Sequence, residues 1–263
     1  MNNLLRKEQS GAQIIKYLKS LKPDKDVGSV YLDIGCSSIT NIPNKLLENT
    51  ELSIMVDGDA NKLHRLKTKH TDCNFKNIIH LNQILTPHNI GEMFAQHIKS
   101  KEITVLDLDI DSYDFELLQA ILKFKKPYVI LAEINEKIPF PIHFYVKYDH
   151  TWDTSHFFGM SFASFCNLVG QDYDVVELDI NNAVAIRKDV NAVSTTTSYE
   201  DLYNNGYKEP RLKGNLPTFN HNHNVDNWLK MQPAECIKSI KEYFDNELNS
   251  IHRGYKGKYH IGI

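Results

Sequence analysis

Apolar residues fall along the first two thirds of the chain in two alternating rhythms. Short, nearly continuous runs occur at residues 30–34, 52–56, 78–81, 103–108 and 128–134. Between them lie stretches with apolar positions three and four apart, at residues 8–21, from Pro43 through Leu47, and at 60–69, 89–99 and 115–124. Unbroken apolar runs suit strands buried on both faces of a parallel sheet, and the three-to-four spacing suits the helices that cover those faces. Residues 162–169 predict a further helix. Residues 175–178 and 183–186 predict two last strands joined by a tight turn at Asn181-Asn182. Seven strands alternating with helices predict an α/β fold, a doubly wound and mostly parallel seven-stranded sheet.

Beyond residue 189 the pattern changes. Residues 191–198 are polar, and 204–224 carry Gly, Pro, Asn and His with little apolar periodicity. One more helix is predicted over 233–248, with Ile237, Ile240, Tyr243, Phe244 and Leu248 on one face, and the tail from Arg253 onward reads as loose. The expected organisation is an α/β domain over 1–190 and a mostly helical or irregular extension over 191–263, serving as a substrate cover or an oligomerisation surface. The segment 135–161 reads as a long irregular stretch.

The first chemical signal is Leu32-Asp33-Ile34-Gly35-Cys36-Ser37-Ser38, a strand running into a small-residue turn. Asp57-Gly58 ends the next strand, 22 residues after Gly35. Such an acid accepts hydrogen bonds from ribose hydroxyls, while Gly35 lets a ligand approach the backbone. Alternatively, this is an ordinary strand and turn with a buried Asp33. A pyrophosphate-binding loop favours Gly-x-Gly-x-x-Gly, and this turn has only Gly35, so an NAD-dependent oxidoreductase is disfavoured.

The second signal is Asp107-Leu108-Asp109-Ile110-Asp111-Ser112-Tyr113-Asp114 at the end of the fourth strand. Strand alternation places Asp107, Asp109 and Asp111 on one side, where their mutual repulsion calls for a cation, a donor or a proton. Asp111 and Asp114 also serve as caps for the following helix. Glu133 and Asn135 close the adjacent strand. Oxygen ligands from two neighbouring strand ends suit Mg²⁺ or Mn²⁺, and His156 is the candidate third ligand or general base. Aromatic residues at 140, 144, 145, 148, 152, 157 and 158 either roof the core or stack on sugar faces. His221 and His223 read as exposed.

Taken together, these segments resemble the class I S-adenosylmethionine (SAM)-dependent methyltransferases, and more closely their FkbM-like branch. The resemblance rests on Leu32-Asp33-Ile34-Gly35, Asp57, the acidic run 106–114, Ala132-Glu133-Ile134-Asn135, residues 156–161 and Asn181-Asn182-Ala183-Val184-Ala185-Ile186-Arg187. It implies a Rossmann-like methyltransferase fold and methyl transfer to a hydroxyl of a saccharide, nucleotide-sugar or secondary metabolite. Asp33, Gly35, Ser37, Ser38, Asp57, Gly58 and Asp107 are the expected cofactor-binding residues. Asp109, Glu133 and His156 are the expected catalytic and metal-binding set. Ser37 stands where the family usually has a second loop glycine. A methyltransferase-fold scaffold without activity is the alternative.

Composition excludes other classes. A net charge of −3 exerts no general pull on nucleic acid or anionic membrane, and the basic stretch 62–69 reads as a solvated helix face. No apolar run is long enough to span a bilayer, the N-terminus has no apolar signal core, and four scattered cysteines suit a reduced compartment. The expectation is a cytoplasmic protein with a small-molecule or saccharide acceptor, no nucleic-acid or membrane partner, and a homodimer as a compatible state.

Overall fold

The structure is a computed structural model. It describes residues 3–22, 30–149, 157–193, 196–216, 225–246 and 254–263, with side chains from residue 11 onward. All seven expected strands form: β1 (Val30–Ile34), β2 (Leu52–Asp57), β3 (Ile78–Asn82), β4 (Val105–Leu108), β5 (Val129–Glu133), β7 (Tyr173–Asp179) and β8 (Asn182–Arg187). They make one sheet in the order β3-β2-β1-β4-β5-β8-β7. The first five in that order run parallel, and β8 is antiparallel to both of its neighbours. The chain leaves β1 outward to β2 and β3, then returns to β4 on the other side. A crevice therefore opens at the carboxyl ends of β1 and β4, where open α/β sheets place their ligands.

The unbroken apolar runs are explained by burial on both faces. Leu32, Ile34, Leu106, Leu108, Ile130 and Ala132 lie in one core, and Tyr31, Val105, Val129 and Leu131 in the other. The helices α1 (Asn3–Leu18), α2 (Asn44–Leu47) and α3 (Ala60–Asp72) cover the second face, through Ile14, Tyr17, Leu47, Leu63 and Leu66. On the first face lie α4 (Ile90–Met93), α5 (Asp114–Phe124) and α6 (Phe162–Val169), which contribute Ile90, Leu117, Ile121 and Phe165. Full burial of a Leu or Ile is worth roughly 1.5–3 kcal/mol, so these matched faces carry the fold.

Several expectations need correction. The helix expected over 89–99 is α-helical only through Met93 and continues as a π-helical turn over Phe94–Ile98. The turn between β7 and β8 lies at Ile180-Asn181 and not at Asn181-Asn182, because Asn182 is taken into β8 by pairing with Glu133 and Asp179. Ile180 carries the left-handed backbone there, with φ 58°.

The segment read as irregular contains β6 (His143–Val146), and the tail read as loose contains β9 (Tyr259–Gly262); the two pair antiparallel. Each is only four residues long, and its partner lies at the other end of the chain, so neither run announces itself locally.

The C-terminal third folds back onto the rest of the chain through α7 (Tyr199–Tyr203), α8 (Glu209–Leu212), α9 (Val225–Trp228) and α10 (Pro233–Asn246). Tyr203, Tyr207, Val225 and Leu229 enter the core on the α5 side of the sheet. Trp228, Ile240, Phe244, Tyr255 and Tyr259 form a third core with Phe144 and Phe157. Phe144, Phe157 and Phe158 are buried, so these rings roof the core and do not face a ligand. No helix among the described residues is long and apolar enough to cross a membrane. Cys36, Cys73, Cys166 and Cys236 are all free thiols, and only Cys73 is exposed.

At the β3 edge, His70 of α3 and His80 of β3 face each other with Nδ1 and Nε2 2.9 Å apart. Burial lowers the pKa of both rings, that of His70 from 6.5 to about 4, and the His80 charge opposes its protonation further. A folded-state pKa below the unfolded value gives stability that is complete above pH 6.5 and lost as pH falls towards 4. Thermal melts should show Tm falling across that window. His70→Leu, which has nothing to protonate, should fall less steeply; an identical slope would place the acid sensitivity elsewhere.

Candidate functional site

Gly35 follows β1 directly and has φ +88°, in the left-handed region that favours glycine. A Cβ built there would sit 1.7 Å from the Asp109 carbonyl oxygen, so the two strand ends touch through backbone alone. The Asp109 amide donates to the Ile34 carbonyl at 3.0 Å, and the Gly35 and Cys36 amides both donate to the Val56 carbonyl, at 2.9 and 3.2 Å. The ends of β1, β2 and β4 are thereby locked together.

Asp57, at the end of β2, organises the surrounding turns. Its Oδ2 accepts from the Ser37 amide at 2.7 Å, and its Oδ1 from the Asp59 amide at 2.7 Å. Ser37 reaches this position with φ 57°, the conformation a glycine would adopt without strain. Asp59 in turn caps α3, accepting from the Asn61 and Lys62 amides, and these bonds lower its pKa. Each Asp57 oxygen keeps further acceptor capacity for ligand hydroxyls.

A cavity of about 650 Å³ opens over these strand ends. Gly35, Ser37, Asp57 and Gly58 line one end, and Asp109 and Glu133 the other. Two of the expected residues are placed elsewhere: Asp33 and Asp107 are buried within the sheet, side by side in register on β1 and β4, and Thr40 donates to Asp33. Neither lines the cavity. Ser38 does not line it either; its carbonyl accepts from Lys69 at 3.1 Å. His156, His221 and His223 lie outside the described residues.

The cavity also has walls that sequence reasoning missed. Ile84 is 68% exposed yet stands over Gly58, where a Cβ would meet it at 2.9 Å. Leu85 and Tyr113 continue this apolar side, and the Tyr113 hydroxyl donates to the Leu85 carbonyl at 2.8 Å. Asn181 and Asn182 close the other end. A position just beyond a strand's carboxyl end was the available signal for Ile84, and the β7–β8 turn was the signal for Asn181.

The acidic end is compact. Asp109, Asp111 and Glu133 each offer a carboxylate oxygen, all within 4.8 Å of one another. Asn181 donates its side-chain amide to Glu133 Oε1, while the buried Oε2 has no hydrogen-bond donor among the described residues. Burial, and then the charges of Asp109 and Asp111, hold the Glu133 pKa well above the usual carboxylate range. Directly beneath, Asp114 is fully buried and pushed up to about 7, chiefly by burial, even though the Ile110 and Ser112 amides both donate to it. This end therefore favours a proton or a cation among its carboxylates. A set of oxygen donors only fits a hard divalent ion such as Mg²⁺ or Mn²⁺.

No protein-family model matches the chain, and no curated protein does. Among solved structures it is similar to the magnesium protoporphyrin IX methyltransferase ChlM from Synechocystis PCC 6803 with bound SAM, at 9% identity and a TM-score of 0.44, over 70% of this chain and 80% of that one. It is also similar to a SAM-dependent methyltransferase from Clostridium acetobutylicum ATCC 824, at 10% identity and a TM-score of 0.40, over 68% and 90%. A third is the N-methyltransferase NodS from Bradyrhizobium japonicum WM9 in complex with S-adenosylhomocysteine (SAH), at 10% identity and 0.43, over 71% and 89%. At these values the likeness says nothing of ligand or reaction. The fold rests on the strand order, five parallel strands closed by an antiparallel hairpin, which is the Rossmann-like methyltransferase arrangement implied by the sequence resemblance.

Gly35→Ala should be severely destabilising, by about 3 kcal/mol or more, since it combines a strained φ with overlap on backbone that cannot move aside. Denaturant unfolding measures this directly, and a loss below about 1 kcal/mol would mean the two strand ends separate easily.

Proposed function

We propose that this protein is a SAM-dependent O-methyltransferase acting on a polar hydroxylated acceptor of saccharide type. One observation carries the reading: a single cavity joins a strand-end acid with its glycine turn to a compact set of carboxylates two strands away. The first group suits the ribose of an adenosine cofactor, and the second suits the removal of a hydroxyl proton. The charge of the cavity supports the same choice. Among the described residues its lining holds five carboxyl side chains (Asp57, Asp59, Asp109, Asp111 and Glu133) against Lys62 alone, which opposes the pyrophosphate of a dinucleotide.

When bound, the cofactor supplies a methyl group on a positively charged sulfur. Asp57 holds the ribose hydroxyls, and Ile84 and Leu85 offer an apolar side to the base. The Gly35 backbone, packed against Asp109, forms part of the cavity floor between β2 and β4. Asp109 and Glu133 orient the acceptor hydroxyl, and one of these carboxylates takes its proton as the oxygen attacks. Mg²⁺ or Mn²⁺ on Asp109, Asp111 and Glu133 would supply a lower hydroxyl pKa. Residues 1–190 form the catalytic unit in this reading. The described residues beyond 190 pack against this unit, anchored where the Tyr203 hydroxyl donates to the Glu136 carbonyl at 2.9 Å.

Calorimetric titration with SAH tests the cofactor class. Binding in the micromolar range is expected, and Asp57→Ala should weaken it roughly ten- to a hundredfold, about 1.5–3 kcal/mol. Unchanged affinity in that variant would remove Asp57 from the site. Asp109→Asn should retain cofactor binding and lower methyl transfer to a saccharide acceptor by roughly 10²–10⁴; full activity would remove Asp109 from the chemistry.

A further inference from the structure

The ribbon formed by β6 and β9 has two unlike faces. Phe144 and Val146 of β6, with Tyr259 and Ile261 of β9, pack into the third core. The alternate positions, His143, Tyr145, His260 and Gly262, therefore share the opposite face. Gly262 lies directly across from His143, and His260 across from Tyr145, so the two histidines are diagonal neighbours on adjacent strands. Such positions are about 7 Å apart, within reach of two imidazole side chains. None of these four residues lines the cavity over the sheet.

Gly262 keeps the space between the two rings open. A Cβ built on it would have His260 Nε2 as its neighbour at 3.8 Å, so the His260 ring leans along β9 to the position that faces His143. Stacking fixes that ring. His260 lies on Tyr145 with centroids 5.0 Å and planes 20° apart, and Tyr145 lies on Phe115 of α5 at 4.0 Å and 11°. His260 is exposed and His143 half-buried, so solvent ions can reach the pair. Burial, and then the charge of His260, lower the His143 pKa, which leaves that ring unprotonated near neutral pH. The His70–His80 pair differs, because its nitrogens, 2.9 Å apart, are engaged with each other.

We propose that His143 and His260 together bind a divalent transition-metal ion of the Zn²⁺ class across the β6–β9 ribbon. Neutral imidazole suits Zn²⁺, Ni²⁺ and Cu²⁺, whereas Mg²⁺ and Ca²⁺ prefer oxygen. The two nitrogens take two coordination positions, and water takes the others. The ion acts as a cross-strand staple. β6 is hydrogen-bonded to the segment 159–161, the Val146 amide donating to the Gly159 carbonyl at 2.9 Å and the Ser161 amide to the Phe144 carbonyl at 2.8 Å. An ion on the ribbon therefore ties β9 to the segment whose Gly159 amide holds Ser112 at the acidic end of the cavity. The site is separate from that cavity and stands whether or not the protein transfers methyl groups.

Calorimetry and thermal melts of the full chain, carrying no histidine tag and stripped of metal, test the site with Zn²⁺ as the probe and Mg²⁺ as the control. Zn²⁺ should bind in the micromolar range and raise Tm, because an ion held only by the folded ribbon stabilises it. His260→Phe keeps a ring on Tyr145 and removes the nitrogen, and His143→Thr removes the other ligand while favouring a strand. Each should weaken this Zn²⁺ binding by roughly tenfold or more, since one of two imidazoles is lost. The response to Mg²⁺ should be the same in all three proteins, and the metal-free Tm of His260→Phe should hold. With Cu²⁺, electron paramagnetic resonance should show two imidazole nitrogens in the wild type and one in each variant. A folded variant that binds Zn²⁺ as tightly as the wild type overturns the proposal, because the ion then sits at Cys73 or at other histidines. Well-folded wild-type protein that binds no Zn²⁺ overturns it as well.

Discussion

The backbone of Gly35 lies in direct contact with the Asp109 carbonyl, and the rest of the site is arranged around that contact. It brings the end of β1 and the chain leaving β4 closer than any side chain would allow. The amides of Gly35 and Cys36 can then reach Val56, so three strand ends share one small hydrogen-bonded knot. Ser37 emerges from this knot at a left-handed φ, and the Asp57 carboxylate catches its amide. The strain at Ser37 is offset by a charge-assisted hydrogen bond, which explains how a serine occupies a position suited to glycine. A cavity floor built this way is made of backbone and pinned turns, and it offers a ligand a rigid surface.

Around this floor the protein tolerates an unusual density of acid. Asp33 and Asp107 are buried side by side in the sheet, Asp114 lies fully buried beneath the cavity, and Glu133 has a buried oxygen with no donor among the described residues. Each arrangement costs stability relative to an apolar residue of the same shape. The raised pKa values of Glu133 and Asp114 express that cost in protons. Groups whose affinity for a proton is raised in this way, clustered at one end of a cavity, are suited to proton transfer or cation binding, and the apolar bulk of both cores supplies the stability that makes them tolerable.

The C-terminal part of the chain bears on this site through a mechanical path. β9 pairs with β6, and Phe144 of β6 packs against Phe157, Phe244 and Tyr259. From this third core the segment 157–161 runs back to the sheet. There the Gly159 amide donates to the Ser112 carbonyl, and the Asn135 amide to the Met160 carbonyl, both at 2.7 Å. Ser112 follows Asp111, and Asn135 lies two residues past Glu133. The loops that carry the acidic end are therefore held in place by aromatic packing that depends on the last residues of the chain.

The alternation of apolar runs and helical spacing was enough to place seven strands within a residue or two, because strands buried on both faces must be apolar at every position. Gly35 and Asp57 were legible for a similar local reason, each standing at the end of such a run. The pair β6 and β9 was not legible: four residues with one inward-facing alternation stabilise nothing until the distant partner arrives. Strand alternation also placed Asp107 with Asp109 and Asp111, but β4 ends at Leu108 and Asp111 turns left-handed, so Asp109 and Asp111 meet Glu133 while Asp107 stays in the sheet. Local sequence thus determined the elements and the kinds of group at their ends, since periodicity and burial act over a few residues. Which carboxylates face one another, which pocket they share and what holds their loops were decided only by the tertiary structure, because those contacts join strands and aromatic rings that sequence separation keeps apart.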